Sequence, residues 1–212
     1  MNEINVQGML LRKITVGSFD NNVYLLMDPI AHESLIIDAA AEADRILEAV
    51  SGTHVNYILQ THCHMDHIMA LDEVRKATKA PVRIHLADEE ALGVHADLHL
   101  EDNQILDIGK SQIRVIHTPG HTPGSVCFLI EKYLISGDTL FPGGPGKTSS
   151  PEDFRQIVES ITQKIYILPD ETVCYPGHGP ETTVGESKEE YRVFAGKKRT
   201  KPVYGDVEWL SS

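Results

Sequence analysis

Little in this chain suits a secreted, membrane-spanning or nucleic-acid-binding protein. Cysteine is scarce: Cys63, Cys127 and Cys174 are odd in number, far apart and without a C-x-x-C pair. They make no disulfide framework and fit a reducing compartment, taken here as the cytoplasm. No apolar run approaches the roughly 18 residues that a membrane span needs. Met1 to Lys13 carries Glu3 early and lacks a long apolar stretch, so no secretory signal is expected. Basic charge is in the minority: 19 Lys and Arg stand against 31 Asp and Glu, a formal net charge of −12. Such a surface repels a phosphate backbone, so neither nucleic acid nor a membrane is expected as a partner. Internal repeats and low-complexity linkers are absent. What remains, 212 residues with 41% apolar and 24% charged side chains, is the mix of one globular domain with at most a short appendage.

The pattern alternates strands and helices. Strands are expected over Leu10 to Val16, Asn22 to Met27, Ser34 to Ile37, Val55 to Leu59 and Val82 to His85, with Asn21 and Asn22 supplying a turn. Further strands are expected over Gln112 to Ile116, Val126 to Ile130, Tyr133 to Ser136 and Thr172 to Tyr175. Helices are expected over Ala39 to Val50, Ile68 to Lys79, Ala87 to Leu92, Pro151 to Gln163 and Glu186 to Phe194, with Ser150 as an N-cap. Asp97 to Asp107 reads as a looser acidic segment and Phe141 to Ser150 as a Gly/Pro-rich loop. Several strands between helices suggest layered sheets with helices outside.

The chemistry concentrates where strands end. His62-x-His64-x-Asp66-His67 follows the apolar strand 55–59. Residues two apart in an extended loop point the same way, so His62 and His64 can reach one ion. If a helix begins near Asp66, that residue and His67 project toward a neighbouring position. His121, Asp138 and His178 each lie just past a strand in Gly- or Pro-flanked loops, where a rigid scaffold presents functional groups. One ion would use three or four of these five imidazoles and two carboxylates and leave the others poorly paired. Two ions about 3.5–4 Å apart use all seven. The natural division puts His62, His64 and His121 on one ion and Asp66, His67 and His178 on the other, with Asp138 bridging. The donors suit zinc first, with iron or manganese as alternatives. A water bridging two such cations is hydroxide near neutral pH, hence a nucleophile.

A lone histidine at a strand end is ordinarily a surface or supporting residue, and Asp138 or His178 alone would carry no argument. Four potential ligands within positions 62–67 differ, because they lack apolar periodicity and would repel if protonated together. His54, His85, His95, His99 and His117 are left as structural or exposed, and Cys63 as a structural thiol turned away from its neighbours. Gly146-Lys147-Thr148 ends like a phosphate-binding loop, but that motif needs glycine where Phe141 stands.

With these residues the sequence resembles the metallo-β-lactamase superfamily, over roughly residues 10 to 190. The resemblance implies an α/β (α+β) fold, an αββα four-layer sandwich with two sheets face to face and metals at one edge. Residues 1–195 would form that domain and 196–212 a basic C-terminal tail. Thr118 to Gly124, Gly137 to Phe141 and Tyr175 to Thr183 are most similar to short single-domain hydroxyacylglutathione hydrolases of the glyoxalase II type. That branch implies two divalent metal ions and attack of a bridging hydroxide on a small-molecule thioester such as an acylglutathione. Asp66 would be both ligand and catalytic residue, orienting the hydroxide. Lys147 could reach a substrate carboxylate, against the plainer view of an exposed loop lysine.

The chain departs from full-length glyoxalase II in one respect. Only 34 residues follow His178, too few for the helical domain that helps bind glutathione there. Lys197, Lys198, Arg199 and Lys201 read as a solvated basic stretch, and Trp209 predicts that the tail packs on something, a neighbouring subunit of a homo-oligomer being one option. Cys63 between two histidines, and Gly146-Lys147-Thr148, are similar to the persulfide dioxygenases of the same fold. Those imply one Fe(II) on His62, His121 and Asp138. A lactonase or other ester hydrolase is a third reading and a non-enzymatic metal-binding protein a fourth. Hydrolysis is preferred because all seven ligand positions are filled.

Overall fold

A computed structural model describes residues 2–92 and 96–212, with His95 outside the described residues. The first half of the chain forms β1 (Asn2–Val6), β2 (Met9–Val16), β3 (Asn21–Asp28), β4 (Glu33–Ile37), β5 (His54–Leu59), β6 (Val82–His85) and β7 (Leu98–Leu100), ordered in one sheet as in the chain. The second half forms β8 (Ile105–Ile108), β9 (Ser111–His117), β10 (Val126–Ile130), β11 (Tyr133–Gly137), a ribbon of β12 (Leu140–Phe141) and β13 (Gly144–Pro145), then β14 (Val173–Pro176) and β15 (Thr182–Thr183). Its six-stranded sheet runs β15-β14-β11-β10-β9-β8. The helices are α1 (Ala43–Ala49), α2 (Met65–Ile68), α3 (Leu71–Thr78), α4 (Leu86–Leu92), α5 (Pro151–Ser160) with a wider turn at Ile161–Ile165, and α6 (Val184–Gly196).

Three apolar layers separate four structural layers, as side-chain alternation requires. On β3, which is buried along its whole length, Tyr24 and Leu26 point between the sheets toward Val115, Phe128 and Ile135. Val23 and Leu25 point outward, into a cluster with Ile46 of α1 and Leu71 and Val74 of α3. The second sheet packs its outer face, through Ile116, Leu134 and Cys174, on Phe154 and Ile157 of α5 and Phe194 of α6. The αββα sandwich is therefore two sheets with an apolar interior, each covered outside by helices.

Several expectations are corrected. Asn21 and Asn22 are not a turn but the first residues of β3, because their side chains are committed to the site described below. The helix expected from Ala39 begins at Ala43, since Asp38 and Glu42 both adopt positive φ. The acidic segment 97–107 contains β7 and most of β8, two short strands whose apolar residues are too few to give a period. Ser150 does cap α5, accepting from the Asp153 N–H at 3.1 Å. A capping box between Thr183 and Glu186 starts α6 two residues earlier than expected.

Residues after α6 fold back onto their own chain. The Trp209 ring is fully buried against Phe154, Tyr191 and Phe194, and the backbone N–H of Trp209 donates to the Gly143 carbonyl at 2.6 Å. Lys197 donates to the carbonyls of Leu210 and Ser212, and the Arg199 guanidinium lies 3.5 Å over the Phe194 ring. The partner of Trp209 is thus internal rather than a second subunit.

Strand direction places the site. β4 and β5 are parallel, as are β11 and β14, while β9 is antiparallel to β10 and β10 to β11. Hence β9, β11 and β14 share one direction, and their carboxyl ends lie at one edge of the second sheet. The carboxyl ends of β4 and β5 and the start of antiparallel β3 share an edge of the first. These edges meet: Asn22 N–H donates to the Gly177 carbonyl at 2.7 Å and Val126 N–H to the Thr61 carbonyl at 2.8 Å.

Candidate metal centre

All seven residues read as ligands from the sequence gather at this shared edge. Among the described residues they form three overlapping groups: His62, His64 and His121; His62, His67 and Asp138; and Asp66, His67 and His178. In the first, His64 Nδ1 lies 3.2 Å from His62 Nε2 and 2.8 Å from His121 Nε2. In the third, His178 Nε2 lies 3.2 Å from both His67 Nε2 and Asp66 Oδ2. Asp138 stands between them. Its Oδ1 is 3.4 Å from His67 Nε2, and its Oδ2 is 3.5 Å from His121 Nε2 and 3.6 Å from His178 Nε2.

The ring orientations follow from what each outer nitrogen does. His67 Nδ1 donates to Asp38 Oδ2 (2.9 Å), His121 Nδ1 to the Lys147 carbonyl (2.8 Å) and His178 Nδ1 to the Phe19 carbonyl (2.8 Å). His62 Nδ1 donates to the Thr61 hydroxyl (3.0 Å), which in turn donates to Asp38 Oδ2 (2.7 Å). An imidazole that donates from one nitrogen offers a lone pair on the other, so four Nε2 atoms are turned inward as acceptors. His64 alone turns Nδ1 inward.

Protonation agrees with this in part. Burial, then the neighbouring His67, holds the His62 pKa well below its usual value, and burial followed by His121 lowers that of His64. Burial would raise Asp138, but His67 beside it reverses this and holds the carboxyl far below its ordinary range. Burial would likewise raise Asp66, and a 3.0 Å bond from Asn21 Nδ2 to its Oδ2 keeps it low. His67 differs. Burial disfavours its charge, yet Asp138 and Asp38 together push its pKa up to about 10. Without a cation the site therefore holds a proton there.

Four residues outside the ligand set serve the site. Asp38, at the end of β4, is 1% exposed and accepts from the Thr61 N–H and hydroxyl and from His67. Its signal in the sequence is a carboxylate closing the apolar run Leu35 to Ile37. Asn22 holds the His178 loop by donating to the carbonyls of Pro176 and Gly179, and Tyr24 adds a 2.6 Å bond to Pro176. Gly177 lets that loop pass: a Cβ there would lie 2.2 Å from Asp138 Oδ1 and 2.6 Å from His67 Cε1.

Lys147 contributes its carbonyl to His121, while its side chain is exposed, 3.9 Å from Asp206. Both line a groove of about 260 Å³ with His121, Asp138, Phe141 and Glu208, so the final segment of the chain forms one wall of the site. Of the histidines left aside, His54 is exposed, and His85 and His117 stack 3.9 Å apart and belong to none of the three groups. Cys63 is half-buried against the outer core cluster, and burial, reinforced by Asp88, pushes its thiol up to about 12.

This fold and site belong to a known class: the chain is a member of the metallo-beta-lactamase superfamily, whose family model matches residues 16–203. It is 36% identical over 198 residues to the probable metallo-hydrolase YqgX of Bacillus subtilis, covering 83% of this chain and 93% of that one. It is 31% identical to the hydroxyacylglutathione hydrolase GloC of Haemophilus influenzae (85% and 95% covered) and 31% identical to the mitochondrial persulfide dioxygenase ETHE1 of Homo sapiens (88% and 74%). Among solved structures, the BLEG-1 B3 metallo-beta-lactamase superposes with a TM-score of 0.77 at 31% identity, covering 84% of this chain and 96% of that one. TTHA1623 in a di-iron-bound form superposes with a TM-score of 0.69 at 28% identity, covering 84% and 96%.

The donor set fits the metal ions of that superfamily. Asp138 Oδ1 is buried without a hydrogen-bond partner, an arrangement that costs free energy unless a cation fills it. Inward-facing imidazole nitrogens lie 2.8–3.2 Å apart, close enough for one ion to take the lone pairs of several. Among the described residues no helix is long and apolar enough to cross a membrane.

Proposed function

We propose that this protein is a binuclear metal-dependent hydrolase acting on small-molecule thioesters, of which acylglutathione is the leading example. The observation that carries the reading is Asp138, whose two oxygens face His67 on one side and His121 and His178 on the other. A carboxylate can touch two cations at once and offset their mutual repulsion. His62, His64 and His121 would hold one ion and Asp66, His67 and His178 the other. Zinc suits this set of nitrogen and carboxylate donors, as do iron and manganese.

When bound, two such ions supply hydroxide at neutral pH and polarise a carbonyl oxygen. The chain's own groups do the rest. Asp66 stays ionised, and Asn21 fixes its orientation, so it directs the attacking oxygen as well as binding. His121 and His178 are locked by backbone carbonyls and cannot rotate away as charge shifts. The C–S bond of a thioester breaks with the sulfur leaving as thiolate, so a strong general acid is not required of the groove. Lys147, on its rim, would meet a carboxylate of the substrate. Three free thiols are compatible with a reducing, cytoplasmic setting.

The resemblance to ETHE1 supports a second reading, one iron on His62, His121 and Asp138 with persulfide oxidation. Metal analysis and assays on one preparation separate the two. Two equivalents of metal with thioester hydrolysis support the first, and one iron with persulfide-dependent oxygen uptake overturns it. Asp66→Ala and His178→Ala sharpen the result. Both should abolish hydrolysis by two ions, whereas near-normal turnover with unchanged metal content would remove the binuclear mechanism. His62→Ala and His121→Ala should be inactive under either chemistry.

A further inference from the structure

Asp88 lies on α4, outside the ligand set, and is completely buried. Its Oδ2 accepts from the backbone N–H of Cys63 (3.0 Å) and the hydroxyl of Thr122 (2.7 Å), and its Oδ1 accepts from the N–H of Gly124 (2.7 Å). Cys63 sits between His62 and His64, and Thr122 follows His121. The two loops leave different sheets, one after β5 and the other after β9. One buried carboxylate thus ties together the two segments that supply all three histidines of the first group.

The contact is built tightly. A Cβ on Gly124 would lie 2.6–2.8 Å from the Asp88 side chain, so only glycine lets the backbone come this close. The Thr122 hydroxyl is also fixed by Ser125 Oγ at 2.7 Å, and that Oγ accepts from the Thr122 N–H at 3.1 Å. No atom of Asp88 approaches Asp66, His67 or His178 by any of these bonds.

We propose that Asp88 is a positioning residue for the three-histidine half of the centre: it holds the His62–His64 loop and the His121 loop in the register that brings His64 Nδ1 and His121 Nε2 together. It acts on metal affinity through the backbone and touches neither ion nor substrate. The inference rests on the proposed assignment of His62, His64 and His121 to one ion.

Selectivity distinguishes positioning from a general structural role. The full-length protein, stripped of metal, is titrated with Co(II) and followed by visible absorption, with metal-free melting temperatures measured in parallel. His121→Ala and His178→Ala identify which binding step belongs to which half. Outer partners of ligands typically carry about 10- to 100-fold in metal affinity. Asp88→Asn, which keeps the shape but replaces one acceptor by a donor, should weaken the step lost in His121→Ala by about that factor and leave the other within about threefold. Thr122→Val, which removes one of the three bonds, should shift the same step less. Equal weakening of both steps, or of neither, overturns the proposal. Should Asp88→Asn fail to fold, Thr122→Val decides by the same criterion. If the wild type takes up only one Co(II), the two-ion assignment fails separately. Asp88 as a positioning residue then stands on a tenfold or greater loss for that single ion and falls without it.

Discussion

Asp38 Oδ2 lies 2.9 Å from His67 Nδ1, and both side chains are out of contact with solvent. The contact is made on the side of His67 away from the centre, and with Asp138 on the other side His67 is flanked by two carboxylates.

This contact predicts how the metal-free protein responds to pH. Burial disfavours a charged His67, but Asp138 and Asp38 outweigh it and bring its pKa from 6.5 to about 10. A group whose folded pKa is raised adds stability that is fully present below its unfolded pKa and lost as pH rises through its folded one. The urea midpoint of metal-free protein should therefore fall between about pH 6.5 and 10, and Asp38→Asn should flatten that fall. Binding an ion must displace the same proton, so apparent metal affinity should climb across this window. A midpoint that rises over the range would contradict the assignment.

Asp138→Asn retains the shape of the side chain and removes its charge. It should cost at least one metal equivalent and most of the hydrolysis, roughly 100-fold or more if the charge between the ions is the main loss. The sandwich core does not use this residue, so circular dichroism should be unchanged. Retention of both ions would show that Asp138 does not bridge, and unfolding would show that the site is structural.

Lys147→Ala should raise KM for a carboxylate-bearing substrate more than it lowers kcat, because it removes binding common to ground and transition states. The side chain is 69% exposed, so the effect is limited to about fivefold, the ~1 kcal/mol ceiling of an exposed ion pair. Kinetics with a charged and a neutral thioester of similar size provide the check, and only the charged one should respond.

Trp209→Ala tests whether the last residues belong to the folded core. Removing a fully buried aromatic costs about 3–5 kcal/mol, and Trp209 is enclosed by Phe154, Tyr191 and Phe194. Leu210→Ala, at an exposed neighbour, should change stability by no more than about 0.5 kcal/mol. Denaturant titration of both variants tests this. Because residues 206–208 wall the groove, the Trp209 variant should also bind substrate more weakly.

Local chemistry was enough to choose the ligand candidates. His62, His64, Asp66 and His67 are adjacent in the chain, and a run of imidazole and carboxylate after an apolar strand has few uses other than a cation. The strands carrying the core were legible for the same reason, since an apolar run such as that of β3 or β10 is a property of neighbours. The capping of α5 by Ser150 is equally local. What no stretch of sequence could reveal is how those distant residues meet. Asp138 lies between His121 and the His67–His178 pair only because β11 and β14 run parallel and the second sheet closes on the first. Asn21 and Asn22 read as a turn by composition, yet as the start of β3 their amides hold Asp66 and the His178 loop. Asp38 and Asp88 are single carboxylates without a motif, recognisable only by the backbone amides and hydroxyls that converge on them. Trp209 announces that it will be buried, but whether by its own chain or another depends on where α5 and α6 leave space. Composition and periodicity act over one or two turns of chain, whereas a metal centre is assembled by strand order and sheet pairing, whose distances are set only when the whole sandwich closes.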